Sequence, residues 1–123
     1  MLTKSQKKYL FAIYLLGQDG GSVKSTSVSD FLNVSKASTV KMTQKLIEEQ
    51  YIIKEPYREI RLTQKGIREA NKLFTPSVIL QNFLIATVGV PSDKAREASV
   101  IIASELDEET LDKLVKYSLS LAK

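Results

Sequence analysis

Apolar residues recur at helical spacing along most of the chain and alternate with polar ones in one short stretch. Residues 4–16 form the first expected helix, with Tyr9, Leu10, Ile13 and Leu16 inward and Phe11 and Tyr14 on its flank. Thr3 and Gln6 have the spacing of a capping box, and Gly17, Gly20 and Gly21 close the helix in a loop. Val23 reads as a short extended link. A second helix over 26–32 is expected to start on Ser25 as N-cap and to bury Val28, Phe31 and Leu32. After the short link Asn33-Val34, a third helix is capped by Ser35 and runs to Gln50 without Gly or Pro. Thr39, Met42, Thr43, Leu46 and Ile47 form its core-facing stripe.

The period then changes. Residues 51–55 and 59–63 read as two strands joined by a turn at Pro56-Tyr57-Arg58. Helical spacing returns over 64–74, with Thr63 as N-cap. Thr75-Pro76 marks a restart, with Thr as cap and Pro at the first helical position, for a helix over 76–87; an end of the preceding helix and a kink in it both fit this pattern. That helix is apolar on more than one face, as a helix in a core or a subunit interface is. Helices over 93–105, capped by Ser92, and 108–121, capped by Asp107, complete the chain. The expected fold is mainly α. Residues 1–74 make a winged helix-turn-helix domain with a small β-wing, and residues 75–123 a domain of three antiparallel helices.

Charge sharpens this division. Residues 1–74 hold 13 Lys and Arg against 7 Asp and Glu, a net of +6; residues 75–123 hold 5 against 7, a net of −2. A polyanion is therefore the expected partner of the first half. The third helix carries Lys36, Ala37, Ser38 and Lys41 on its first turns, with Lys45 beyond them, while its acids Glu48 and Glu49 lie at the far end. A major groove admits a helix whose N-terminal residues reach base edges, and the positive end of the helix dipole suits phosphates. Lys54, Arg58 and Arg61 add charge on the hairpin, with Tyr57 and Arg58 at its tip. The ordered set of short helix, basic helix and basic hairpin points to double-stranded DNA. The bland alternative is a solvated basic face on a winged helix that binds protein.

Catalysis finds little support. There is no cysteine and no histidine, which removes the Cys nucleophile, the commonest general base and the commonest transition-metal ligand. Ser5 and Lys8 make a formal Ser-x-x-Lys, but it sits at the solvated start of a helix, and the spacing is frequent by chance. Glu48-Glu49 and Glu108-Glu109 are adjacent, so on a helix they diverge by about 100°. No P-loop or dinucleotide fingerprint is present, and the expectation is that the protein is not an enzyme. No apolar run reaches the ~20 residues of a membrane span, and the N-terminus does not read as a signal peptide. The expected location is the cytoplasm, without membrane contact.

The chain resembles the diphtheria toxin repressor family of iron- and manganese-dependent regulators, especially its short branch without a third, SH3-like domain. The resemblance rests on Lys41-Met42-Thr43-Gln44-Lys45-Leu46, Leu62-Thr63-Gln64-Lys65-Gly66, Phe83-Leu84 with Val88-Gly89-Val90, and Leu106-Asp107-Glu108-Glu109-Thr110-Leu111. It covers nearly the whole chain. It implies a homodimer paired through the three C-terminal helices, with two recognition helices in successive major grooves of a palindromic operator. The family's contacts fall on Ser35, Ala37, Ser38 and Lys41; charge alone adds Lys36 and Lys45.

The family's metal ligands do not carry over. Its helix 1 carboxylates fall near Lys8 and Phe11, its helix 5 histidine on Ser77, and its helix 6 Glu-His pair near Ala103-Ser104. The expectation is a DNA-binding regulator, a repressor, with no metal or other cofactor. Glu97, Glu105 and Asp107 offer a set of hard oxygen ligands, set against a plainer role as surface acids and a helix cap. An organic effector among Tyr9, Phe11, Tyr14, Phe74 and Phe83 is the remaining alternative, against plain core packing.

Overall fold

The computed structural model describes residues 2–18, 22–54 and 59–121. The chain divides into two units, Met1–Asn71 and Lys72–Lys123.

In the first unit the local signals act as expected at both ends of α1 (Lys4–Leu16). The Thr3 hydroxyl accepts from the Gln6 N–H at 3.1 Å, and the Gln6 amide oxygen accepts from the Thr3 N–H at 2.8 Å. Gln6 is buried and its Nε2 donates to the Glu49 carboxylate at 3.1 Å, a link to a residue 43 positions on. Phe11 is not on a flank: it is fully buried, its ring stacked on Tyr14 with centroids 6.1 Å apart.

Helix α2 (Ser25–Leu32) starts one residue earlier than the sequence predicts, and Ser25 is not its cap. Lys24 holds that place in an extended conformation, and its carbonyl accepts from Ser27 and Val28. Asn33 ends α2 at φ 55°, a left-handed conformation that Asn tolerates. Helix α3 (Lys36–Glu48) follows, capped by Ser35. It buries Thr39, Thr43 and Leu46, with Met42 and Ile47 half-buried beside them.

Strands β1 (Ile52–Ile53) and β2 (Arg61–Leu62) pair antiparallel, Ile52 opposite Leu62 and Ile53 opposite Arg61. Val23 is more than a link. It bridges Ile60 through two N–H···O=C bonds of 2.9 and 2.8 Å, so the segment before α2 joins the hairpin. Residues 55–58, on which the predicted turn Pro56-Tyr57-Arg58 falls, lie outside the described residues. Gly66 is required by close packing: a Cβ there would sit 2.1 Å from the Tyr51 carbonyl oxygen. The core of this unit gathers Leu10, Ile13, Val28, Leu46, Ile52 and Ile60 from α1, α2, α3 and the hairpin region.

Helix α4 (Gln64–Phe83) runs through Thr75-Pro76, so of the two alternatives the helix does not end there, and Thr75 and Pro76 start no separate helix. Proline removes one N–H and crowds the preceding turn, at about 3 kcal/mol in a helix interior. The helix continues because its buried stripe does: Leu73, Ser77 and Leu80, at i, i+4 and i+7, are all buried across the proline. A π turn, Leu84–Val88, ends it at Gly89, whose φ of 88° suits glycine. Helix α5 (Ser92–Glu105) has Pro91 in the cap position, so Ser92 begins the helix and does not cap it. The Asp107 carbonyl accepts from Leu111 at the start of α6 (Glu108–Leu121). The second unit thus has three helical segments, the first being the continuation of α4. Ala95, Ser99 and Ala103 form a small-residue buried stripe on α5.

Candidate nucleic-acid interface

The geometry of α3 follows from how its start is held. The Ser35 hydroxyl accepts from the Ser38 N–H at 3.0 Å and donates to the Ser38 hydroxyl at 2.9 Å. The N–H groups of Lys36 and Ala37 belong to the first turn, where no intrahelical acceptor reaches them. Behind this exposed start lies a buried one. The Ser29 hydroxyl of α2 donates to the Thr39 hydroxyl of α3 at 2.8 Å, and Thr39 donates to the Ser35 carbonyl at 3.1 Å. Ser29 and Thr39 are both buried, so this chain of hydroxyls fixes α3 against α2 where water does not compete. At the other end the Lys65 ammonium donates to the Glu49 carbonyl at 3.0 Å and lies 4.3 Å from the centre of the Tyr51 ring. A cation at a helix C-terminus complements the dipole.

With Thr39, Thr43 and Leu46 turned inward, the opposite side of α3 is free. Ser35, Lys36, Ala37, Ser38, Lys41 and Lys45 are all exposed, and all lie on this one element. Two further residues of that face escape the sequence reading. Gln44 is exposed, and Val40 keeps 65% of its surface open. Apolar periodicity has no place for Val40 outside the core, and only burial reveals it.

The hairpin residues separate. Lys54 is exposed and donates to the Ser25 hydroxyl at the start of α2, at 3.2 Å. Arg61 is exposed on β2 but lines a cleft of about 410 Å³ with Tyr14, Gly17, Gln18, Leu62 and Ile67, away from the residues of α3. Tyr57 and Arg58 lie outside the described residues. Tyr9 and Phe11 are buried in the first unit, whereas Tyr14 is half-buried in that cleft.

The positions where the resemblance puts metal ligands do not fit Mn(II) or Fe(II). Phe11 is buried carbon, and Lys8 brings a cation. The buried Ser77 hydroxyl donates to the Phe74 carbonyl at 2.9 Å, and the buried Ser104 hydroxyl to the Val100 carbonyl at 2.7 Å. Neither a carboxylate nor an imidazole stands at any of them. Glu97, Glu105 and Asp107 are exposed, and among the described residues no three acidic side chains gather as a metal site.

Similarity to known proteins runs along the whole chain. The family model "Iron dependent repressor, N-terminal DNA binding domain" matches residues 1–60. An HTH-type transcriptional regulator of Methanocaldococcus jannaschii is 31% identical over 114 residues, covering 92% of this chain and 91% of its own. The HTH-type transcriptional regulator MntR of Bacillus velezensis is 32% identical over 120 residues, covering 95% and 84%. Among solved structures, IdeR of T. acidophilum superposes with a TM-score of 0.71 at 25% identity, over 90% of this chain and 52% of that one. The chain therefore spans about half the length of that structural relative.

Proposed function

The chain belongs to the diphtheria toxin repressor family of DNA-binding transcriptional regulators, and from that premise we propose that α3 is its recognition helix and that it binds operator DNA without a divalent metal. The observation that carries this reading is the face of α3. Its capped, basic start is exposed while Thr39, Thr43 and Leu46 anchor the opposite side. Ser35, Lys36, Ala37, Ser38 and Lys41 meet bases and phosphates, and Lys45 meets phosphate farther along. The hairpin, through Tyr57, Arg58 and Arg61, holds the backbone. The protein acts as a homodimer on a palindromic operator, paired through the second unit. Exposed apolar side chains there support this: Val88, Ile101, Tyr117 and Leu119 are each at least half exposed.

Metal independence rests on the donor chemistry at Lys8, Phe11, Ser77, Ala103 and Ser104. With no ligand there to bind a cation, the DNA-binding form needs no metal to assemble. A small organic effector is a second reading, favoured by the cleft of about 410 Å³ that joins the apolar Leu62 and Ile67 to the polar Tyr14, Gln18 and Arg61.

The test is a salt titration of binding to a random-sequence duplex by fluorescence anisotropy, in EDTA and then in excess Mn(II). A dimer with about six phosphate contacts gives a log–log slope near −5. The same steep slope in both is the expected result. Binding only in Mn(II) would overturn metal independence. No binding in either would overturn the DNA reading and leave a winged helix that docks on protein.

A further inference from the structure

We infer that Val40 is a specificity-determining residue that reads the 5-methyl group of a thymine, so that the operator half-site carries a thymine under the middle of α3. The inference rests on the proposed role of α3 and names what that helix recognises.

Ala37, Val40, Lys41 and Gln44 stand at i, i+3, i+4 and i+7, and all four are exposed. They form one stripe. Val40 is the most unexpected member. An isopropyl group with 65% of its surface in water contributes nothing to the core, and β-branched residues are mediocre helix formers. Nor can it turn inward: Thr39 and Thr43, on the buried side, are closed off. Among the described residues of α3 it is the one exposed large apolar side chain. Single exposed apolar residues are ordinary on protein surfaces. This one differs in its neighbours, because it is set among Lys36, Lys41 and Gln44 on a face built for a polyanion.

The chemistry of the major groove selects its partner. Among the groups that distinguish the base edges there, the thymine 5-methyl is the one that projects an apolar carbon; the others are hydrogen-bond donors and acceptors. A valine can make no hydrogen bond and would desolvate a donor or acceptor without return. Against a methyl it removes apolar surface from both sides. Its stiffness helps: in a helix valine holds one dominant χ1 rotamer, so little freedom remains to be lost on binding. Ala37, one turn earlier, adds no bulk that would keep the helix from the base edges. Gln44, one turn later, has the amide geometry that pairs with adenine N6 and N7. The rise from Val40 to Gln44 is about 6 Å, comparable to two base-pair steps.

The experiment begins with affinity selection from a random duplex library, using the full chain in EDTA. Each thymine of the selected duplex is then replaced in turn by 2′-deoxyuridine, which removes the methyl and keeps the pairing. Burial of one methyl predicts that one such replacement per half-site weakens wild-type binding about fourfold. Val40→Ala must abolish that sensitivity, binding the thymine and uracil duplexes equally. Because Val40 is exposed and alanine is the better helix former, the variant keeps or slightly raises the wild-type thermal midpoint, and circular dichroism checks this. A selected duplex in which every uracil replacement is neutral overturns the inference and leaves the DNA reading intact. So does Val40→Ala retaining the wild-type sensitivity. Salt-dependent binding with no selected sequence overturns base reading by α3 altogether, and absence of all binding overturns the proposed function first.

Discussion

The two units differ in how far their polar side chains reach. In Met1–Asn71 these groups reach across elements. Ser29 of α2 bonds Thr39 of α3 as well as the Ser25 carbonyl of its own helix, Gln6 of α1 bonds Glu49 just past α3, and the half-buried Thr63 hydroxyl donates to the Gln50 and Tyr51 carbonyls before β1. In Lys72–Lys123 every buried hydroxyl among the described residues turns back on its own helix: Ser77 on Phe74, Ser99 on Arg96, Ser104 on Val100 and Ser118 on Leu114. A bond between elements is directional and fixes where one sits against another. A bond within a helix merely silences a polar group, so that a small side chain can lie in an apolar contact. The first arrangement suits a unit that must hold a helix in register with a groove. The second suits the proposed pairing through the second unit, by apolar contact without direction.

The largest effect should come from breaking the first unit at its tightest point. Gly66→Ala brings a Cβ against the backbone carbonyl of Tyr51, which cannot rotate away. Overpacking of this kind costs about 3 kcal/mol. Urea unfolding should show it, and DNA binding should fall with it because the hairpin and α4 part. A loss below about 0.5 kcal/mol would show that the junction yields, against the picture of a rigidly positioned unit.

Next in size is a gain in the second unit. Pro76→Ala restores a backbone N–H inside α4 and removes a crowded ring. It should stabilise by about 2 kcal/mol, since proline in a helix interior costs about 3 and the helix has already adapted in part. A thermal midpoint that falls instead would mean that the proline's φ is needed there.

Smaller again is the buried hydroxyl pair. Ser29→Ala should cost about 1 kcal/mol, because it leaves the buried Thr39 hydroxyl without its donor; Thr39→Val should cost less, because the Ser29 hydroxyl keeps the Ser25 carbonyl as acceptor. The double variant should recover much of that stability while still binding DNA less well than wild type. In it the apolar contact replaces the bond but not its direction. If affinity recovers in step with stability, the pair is filler and does not position α3.

What the chain made legible follows the same contrast. The capping box of Thr3 and Gln6, the Ser35 cap and the change of period at the hairpin are local signals, and they stand in the structure. The exposure of the six candidate positions on α3 was readable because helical spacing sets them opposite the stripe of Thr39, Thr43 and Leu46. Ser25 and Ser92 misled because a cap is set by where the chain enters the helix. Lys24 and Pro91 are the residues held extended there. Pro76 left an end and a kink both open because the buried stripe that carries α4 past it is a tertiary fact. The Ser29–Thr39 bond spans ten residues and a turn, and Val40 looks like any core valine until its burial is known.

The smallest effect is the most telling about the second unit. Ser104 is fully buried, yet its hydroxyl donates to Val100, a carbonyl of its own helix. That carbonyl keeps its helical backbone bond when the side chain is removed. Ser104→Ala therefore leaves no orphaned partner, only the space of one oxygen atom, and alanine is the better helix former. The expected change is about 0.5 kcal/mol or less, of either sign, although Ser104 is as deeply buried as Ser29. Urea midpoints of Ser104→Ala and Ser29→Ala measured side by side decide the matter. Equal losses would mean that burial alone sets the value of these hydroxyls. A clear loss at Ser29 with almost none at Ser104 would mean that reach across elements does, and that the first unit is held by bonds the second has no use for.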